Sequence, residues 1–309
     1  MARRYTRVVT TPAAARLPHE WNHPFVSLLS DWGARDPSAA ICRAVVMGIA
    51  PEALIVDITH EVEKFNISHG ALLLWCALPF MPIGAHMAVI DPGVGTARRP
   101  VALETARGDY LIGPNNGLLL PAAERLGGVV RAHLIENAQY SLPVLSSTFH
   151  GRDLFAPAAA HLALGVPLGS IGPSIDPREL TDIDWPPVVV RPAELETTVI
   201  YRDTFGNLKL AGLTADLLDA LEDLQHGDGV MVTLGRGGRA RRVEMTWAPT
   251  FGTVAVGEQL LYEDSYGRLC IARNQGNAAE ALKLSEGNVV RITRAGDGEA
   301  GADEDQAAG

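Results

Sequence analysis

Positive charge is scarce in this chain: 26 Lys and Arg stand against 36 Asp and Glu, for a net charge of −10. Such a balance argues against non-specific binding to nucleic acid or to an anionic membrane. Cysteine is scarcer still. Cys42, Cys76 and Cys270 are far apart in apolar surroundings, with neither a disulfide framework nor a metal-binding spacing. They are expected to be buried thiols in a reducing compartment, and the default location is cytoplasmic. No apolar run approaches membrane-spanning length. The basic start, Met1 to Arg7, is followed by no apolar stretch of the kind a signal peptide requires. Internal repeats and heptads are lacking too.

What is present fits a globular protein. A chain of 309 residues, 47% hydrophobic and 20% charged, can bury a full core and suffices for two domains. Five of the ten net negative charges fall in the last fourteen residues, on Asp297, Glu299, Asp303, Glu304 and Asp305. This segment, 296–309, has no large apolar side chain to offset its ordering entropy and is expected to be disordered.

Residues 1–22 read as an irregular extension. From there to 184 the pattern is α/β. Strands are expected at Phe25–Ser30, Ala53–Ile58 and Met87–Ile90 and near Val101 and Tyr110. Helices are expected from about Pro37, with Asp36 as its cap, over Ile67–Leu78, after Asn116, and over Arg152–Leu164. Such alternation predicts a largely parallel sheet flanked by helices. The proline-punctuated stretch 185–192 suits a linker. Across 193–295 short β-rich runs separated by glycines predict a smaller all-β domain, a barrel or sandwich.

Ligands of open α/β sheets bind beyond the carboxyl ends of the strands. Three polar loops fall there: Ser30–Ser38, Asp57–Glu61 and Asp91–Arg99. Asp31 and Asp36 read equally well as turn or capping residues. His60 and Glu61 have no second histidine at helical spacing, so a zinc site is not expected and the pair reads as structural. The glycines after Asp91 lack a Walker lysine. His150, in Thr148-Phe-His-Gly-Arg-Asp153, precedes a helix and alone would read as structural. Asp91, Arg98 and His150 together make a set able to orient and deprotonate a water. From residue types alone, the reading ends at an α/β enzyme with an Asp/Arg/His site and no metal.

An ordered series of motifs extends it. Ser30-Asp-Trp-Gly33, Ile55-Val-Asp-Ile-Thr-His-Glu-Val62, Val89-Ile-Asp-Pro-Gly-Val-Gly-Thr96, Pro114-Asn-Asn-Gly-Leu-Leu119, Thr148–Asp153, Phe205-Gly-Asn-Leu208 and Ile271-Ala-Arg-Asn274 follow one another. Over about 25–293 the chain resembles the adenosine-forming S-adenosyl-L-methionine (SAM) hydrolases, or SAM hydroxide adenosyltransferases, relatives of the fluorinases and chlorinases. The resemblance implies an α/β domain joined to a C-terminal β-barrel, trimers with SAM sites between subunits, and SAM as substrate with no further cofactor. It assigns Asp91, Arg98 and His150 to the attacking water and Asp31 to the ribose hydroxyls. Asp36, Ser38, Asp203 and Ser265 fall near the methionine end. Phe205 and Phe251 fall around adenosine, Asn207 and Arg273 near adenine, and Phe65 where halogenating relatives carry Trp.

The chain departs from the pattern at three places. Asn66 replaces a residue often acidic, Lys209-Leu-Ala-Gly212 replaces a run with Thr and Asn, and Tyr266 stands where the fluorinase is basic. The implied reaction is attack of water on the ribose C5′, giving adenosine and methionine, with Asp91 and His150 orienting the water and taking its proton. Two rival readings differ in class. A halogenase needs a halide pocket, yet Asp91 would repel an anion by about 4 kcal/mol at ~4 Å and an effective dielectric near 20. A non-catalytic SAM or adenosine sensor would have no need of the Asp91, Arg98 and His150 set.

Overall fold

The computed structural model of the protein describes residues 23–143, 146–235 and 240–296. The extension 1–22 and the acidic tail from 297 onward, with the expectations made for them, lie outside the described residues. Two compact units part between Asp184 and Trp185.

In the N-terminal unit, β1 (Phe25–Ser30) is buried along its whole length, as a central strand covered on both faces must be. After α1 (Ser38–Ile49) and β2 (Leu54–Thr59) come α2 (Ile67–Ala77) and β3 (Ala85–Val89), also wholly buried. β4 (Pro100–Thr105) and β5 (Tyr110–Pro114) form a hairpin, followed by α3 (Leu120–Arg125) and β6 (Val129–Leu134). One turn of π-helix, Gly151–Phe155, then runs into α4 (Ala156–Ala163), and β7 (Ser174–Ile175) ends the sheet. The order is β2-β1-β3-β5-β4-β6-β7. The first four strands are parallel; β4, β6 and β7 add on antiparallel.

Local chemistry sets the helix starts. α1 has Pro37, not the expected Asp36, as its cap and so begins one residue later, at Ser38, whose N–H donates to the Asp36 carboxylate at 2.9 Å. Asn66 caps α2 by accepting the His69 N–H at 2.9 Å, which accounts for an amide at this position. Val26, Leu28, Met87 and Val89 join one core with Cys42 and Val46 of α1 and Ala158 to Ala160 of α4.

Alternation turns Ser27 and His86 to the other face. There Ser27 Oγ lies 2.7 Å from His86 Nδ1, and His86 Nε2 lies 3.0 Å from Asp109 Oδ1. Arg107 clasps Asp109 with two N–H groups, at 2.7 and 2.8 Å, and donates to the carbonyls of Leu78 and Pro79 just past α2. Burial alone would push the Asp109 carboxyl up, but the bonds from His86 and Arg107 outweigh it and hold it at about 2. No sequence feature singled out this cluster.

The C-terminal unit is a closed barrel. It contains β8 (Val189–Arg191), β9 (Glu194–Arg202), β10 (Leu208–Leu213), α5 (Thr214–Ala220), β11 (Gly229–Leu234), β12 (Arg241–Trp247), β13 (Gln259–Glu263), β14 (Arg268–Arg273), α6 (Ala278–Leu282) and β15 (Val289–Arg294). Seven strands run in the order β10-β14-β13-β12-β11-β15-β9 and close through a β9–β10 pairing, with β8 added outside β9. Closure leaves no free edge among the seven. Part of the proline-rich stretch 185–192 is thus strand β8. Inward residues such as Val230, Val232 and Leu234 alternate with outward ones on β11 and fill the barrel with Leu208, Leu210, Trp247 and Ile292. All three cysteines are buried free thiols. Among the described residues no helix is long and apolar enough to cross a membrane.

Candidate active site

At the carboxyl end of β3 the chain turns through Asp91-Pro-Gly-Val-Gly. Gly95 is required here: its φ is +78°, and a Cβ would stand 2.7 Å from the Ser147 carbonyl oxygen. Thr96 Oγ1 donates to the Gly93 carbonyl at 2.6 Å and closes the loop. Arg98 then points back onto Asp91. Its Nε donates to Asp91 Oδ1 at 2.9 Å, and its Nη2 donates to both Asp91 Oδ2 and His150 Nδ1, the latter at 2.7 Å. The side chains of Asp91 and Arg98 are only 5% and 9% exposed. The Phe155 ring lies 5.3 Å from the guanidinium carbon, and Arg98 Nη1 is buried with no hydrogen-bond partner among the described residues.

His150 opens the π-helical turn, in which the Ala156 N–H reaches back to the Gly151 carbonyl. Gly151 packs directly on Trp32; a Cβ would lie 2.7 Å from the indole. Burial lowers the His150 pKa, and Arg98 lowers it further, against opposing pulls from Asp91 and Asp153. Arginine can only donate, so His150 Nδ1 is an acceptor, and the neutral ring carries its hydrogen on Nε2. Thus Asp91, Arg98 and His150 meet in one connected group.

The first loop is fastened to the second. Ser30 Oγ lies 2.7 Å from His60 Nδ1, Gly33 N–H donates to the His60 carbonyl at 2.7 Å, and the Trp32 and His60 rings stack within 4° of parallel. Glu61 accepts the Ala34 N–H at 2.5 Å. His60 and Glu61 therefore serve the loop framework. Asp31 accepts the Phe65 N–H on Oδ2 at 2.9 Å. Phe65 is 69% exposed at φ +64°, a left-handed conformation uncommon for a bulky residue. Asp36 and Ser38 are brought together at the start of α1, where the Ser38 hydroxyl also donates to Asp36. Both the hydroxyl and the N–H of Ser38 lower the Asp36 pKa.

In the barrel, Asp203 organises a tight turn by accepting the N–H groups of Phe205 and Asn207, each at 2.9 Å, while Asn207 Nδ2 donates to its other oxygen at 2.8 Å. The turn leaves the Phe205 ring 77% exposed. Phe251 lies on a separate outer cluster, its ring 4.9 Å from that of Tyr262. Arg273 Nε donates to the Gly257 carbonyl at 2.7 Å. Ser265 is exposed in the 263–268 turn, beside the buried Lys209–Asp264 ion pair. Lys209 also lies 4.9 Å from the centre of the Tyr266 ring, so the two departures from the family pattern at 209 and 266 touch each other. Among the described residues no three His, Cys, Asp or Glu side chains converge as a metal site would require.

Two family models match the chain: the SAM hydroxide adenosyltransferase N-terminal domain over residues 26–172 and its C-terminal domain over 197–291. The (R)-S-adenosyl-L-methionine hydrolase of Salinispora tropica is 40% identical over 270 residues, covering 87% of this chain and 98% of that protein. A fluorinase of Actinopolyspora mzabensis is 29% identical over 302 residues, covering 89% of this chain and 98% of the fluorinase. The crystal structure of an uncharacterized conserved protein from Thermotoga maritima superposes with a TM-score of 0.81 at 35% identity, over 87% of this chain and all of that one.

Proposed function

This chain belongs to the SAM hydroxide adenosyltransferase family, and on that premise we propose that it hydrolyses SAM by attack of water on the ribose C5′, releasing adenosine and L-methionine. The observation that carries the reading is the connected Asp91–Arg98–His150 group at the carboxyl end of β3. SAM brings its own leaving group, a sulfonium that departs as a neutral thioether, so the protein needs no strong acid. It must hold a water in line with the C5′–S bond and help it lose a proton.

The hydrogen bonds divide that work. Arg98 neutralises Asp91 and occupies His150 Nδ1, so His150 stays neutral and its Nε2–H is available to orient the water oxygen. Each Asp91 oxygen keeps a second lone pair, which makes Asp91 the acceptor for the hydrogen of the water. Arg98 Nη1, a buried donor with no protein partner among the described residues, adds positive field where hydroxide character develops.

In this reading Asp31 grips the ribose hydroxyls, and Phe65 lends an apolar face. Asp36, Ser38, Asp203 and Ser265 surround the methionine end, and Phe205, Asn207, Phe251 and Arg273 the adenosine. We infer that the first set comes from one subunit and the barrel set from a neighbour, in a homotrimer. A cytoplasmic location, with no cofactor beyond the substrate, completes the reading. Mixing inactive Asp91→Ala and Asn207→Ala proteins under subunit exchange then restores activity, and an active monomer by light scattering refutes the shared site.

The decisive experiment is turnover in isotopically labelled water. Label in the 5′-hydroxyl of adenosine is expected, with no 5′-halo-adenosine when chloride or fluoride is added. Halogenated nucleoside as the main product, or no turnover of SAM, would overturn the proposal.

A further inference from the structure

We propose that Lys64 is the residue of the N-terminal unit that recognises the α-carboxylate of the methionine moiety, and so distinguishes SAM from ligands that lack that carboxylate. This rests on the hydrolase reading above, in which Asp31 and Asp36 lie along the bound substrate.

The methionine end of SAM is a zwitterion. An ammonium is welcomed by a pair of carboxylates, but the carboxylate beside it is repelled by them, and a nearby cation has to offset that repulsion. Asp31 and Asp36 bound this part of the unit. The left-handed Phe65 turns the chain so that residues 64 and 65 both reach back to Asp31: the Phe65 N–H to its carboxylate, and Lys64 Nζ to its main-chain carbonyl at 3.0 Å.

The same ammonium is close enough to Asp36 to act on that carboxylate electrostatically. It is thus bonded to the residue proposed for the ribose, and it is the smallest of the influences on one proposed for the methionine end. A lysine ammonium has three hydrogens. One is committed to Asp31, which fixes the direction of the group, and two remain for a ligand. Lys64 is exposed and in no ion pair among the described residues.

Charged groups on the neighbouring segments are differently engaged. Arg43 is held by Asp57 at 2.5 Å, and Glu61 is held by Ala34 N–H. Glu63 accepts a hydrogen bond from the Asn66 amide at 2.7 Å. Arg35, exposed in the same loop as Asp36, is the natural control for a merely general effect of positive charge.

The test measures affinity and turnover of the full-length protein with three ligands: SAM, the SAM analogue without its α-carboxylate, and adenosine. Lys64→Met is expected to weaken SAM binding and raise its KM about tenfold, with kcat nearly kept. It leaves the decarboxylated analogue and adenosine within about twofold. Lys64→Arg restores SAM binding, and Arg35→Met does not copy the defect. Equal losses for all three ligands would overturn the proposal by showing that Lys64 only shapes the Asp31 loop. Unchanged SAM affinity, or an equal loss in Arg35→Met, would overturn it too. A wild-type protein that neither binds nor cleaves SAM would instead bring down the hydrolase reading itself.

Discussion

The same three residue types, Asp, Arg and His, are gathered twice in the N-terminal unit, at opposite ends of one sheet. His86 and Asp109 lie at the amino ends of β3 and β5, with Arg107 beside them. Asp91, Arg98 and His150 lie beyond the carboxyl end of β3. In the first group both side chains of the His86–Asp109 pair are completely buried, and the network runs on into Ser27, Thr105 and two carbonyls. A network saturated in this way can hold strands in register, and although Arg107 is partly exposed it leaves the His86–Asp109 pair no hydrogen-bonding position for a ligand. In the second group the geometry is equally tight, yet Arg98 Nη1 and His150 Nε2 have no protein partner among the described hydrogen bonds. Residue types alone do not separate a structural cluster from a chemical one. The end of the strand and the unfilled hydrogen-bonding positions do.

If this contrast is right, the two clusters fail differently when broken. The largest effect is expected from Asp91→Ala, which should lower kcat by ~10²–10⁴ while SAM affinity stays close to that of the unaltered protein; the loss of stability from unpairing the buried Arg98 is read separately, by chemical denaturation. Steady-state kinetics with a direct binding measurement checks this; near-normal turnover would remove Asp91 from the chemistry. Next comes Asp109→Asn at the sealed end. Breaking a buried ion pair costs roughly 3–5 kcal/mol of stability, read by chemical denaturation, with the kcat of the remaining folded protein nearly unchanged. A loss of kcat without a loss of stability would erase the distinction between the clusters.

Acid sharpens the comparison by smaller steps. Asp109 is held at about 2 in the folded protein, below its unfolded value near 3.9. Its contribution is complete above that unfolded value and is lost as pH falls towards 2. The stability gap between the unaltered protein and Asp109→Asn should therefore narrow only in that window. His150 moves the other way in charge: its pKa lies below the ordinary 6.5, so it is neutral at pH 7. Protonation removes the acceptor for Arg98 and sets cation against cation. Activity should thus be flat through neutrality and fall on an acid limb below 6.5, tracking the His150 ring in an NMR titration. An acid limb above the ordinary histidine value would contradict the geometry.

Much of this architecture was legible because apolar runs and glycine-rich loops alternate plainly. β1 and α2 fall where the sequence places them, β3 overlaps its expected span, and the short β-rich runs across 193–295 do form a barrel. β10 did not declare itself, since Leu-Lys-Leu-Ala-Gly-Leu puts a charged residue at a position where Lys209 turns out to be buried against Asp264. The turn of β4, β6 and β7 to antiparallel pairing was equally silent, because a hairpin and a crossover strand carry the same apolar signature. Ser27, His86, Arg107 and Asp109 spread over more than eighty positions, and each alone looks like an ordinary strand or turn residue. Lys64 carries no signal for the same reason: an exposed lysine two residues before a capping asparagine has no periodicity to mark it. Asp91, Arg98 and His150 stood out only because glycine-containing loops carry them at element boundaries, and the link of Arg98 to His150 Nδ1 had no trace in the sequence.

The π-helical turn at Gly151–Phe155 has a consequence for where the chain before it points. A helix advances by 100° per residue, so a π-turn stores one residue more than the α-helix it interrupts. Winding the same residues as continuous α-helix, with α4 undisturbed, would shift the hydrogen-bond partner of each N–H in this turn by one residue. Everything upstream would be rewound by about 100°, and His150 would swing off Arg98 towards another side of the helix axis. The locally more regular chain would be the inactive one: at this point the protein keeps an irregular helix because regularity would aim its histidine elsewhere.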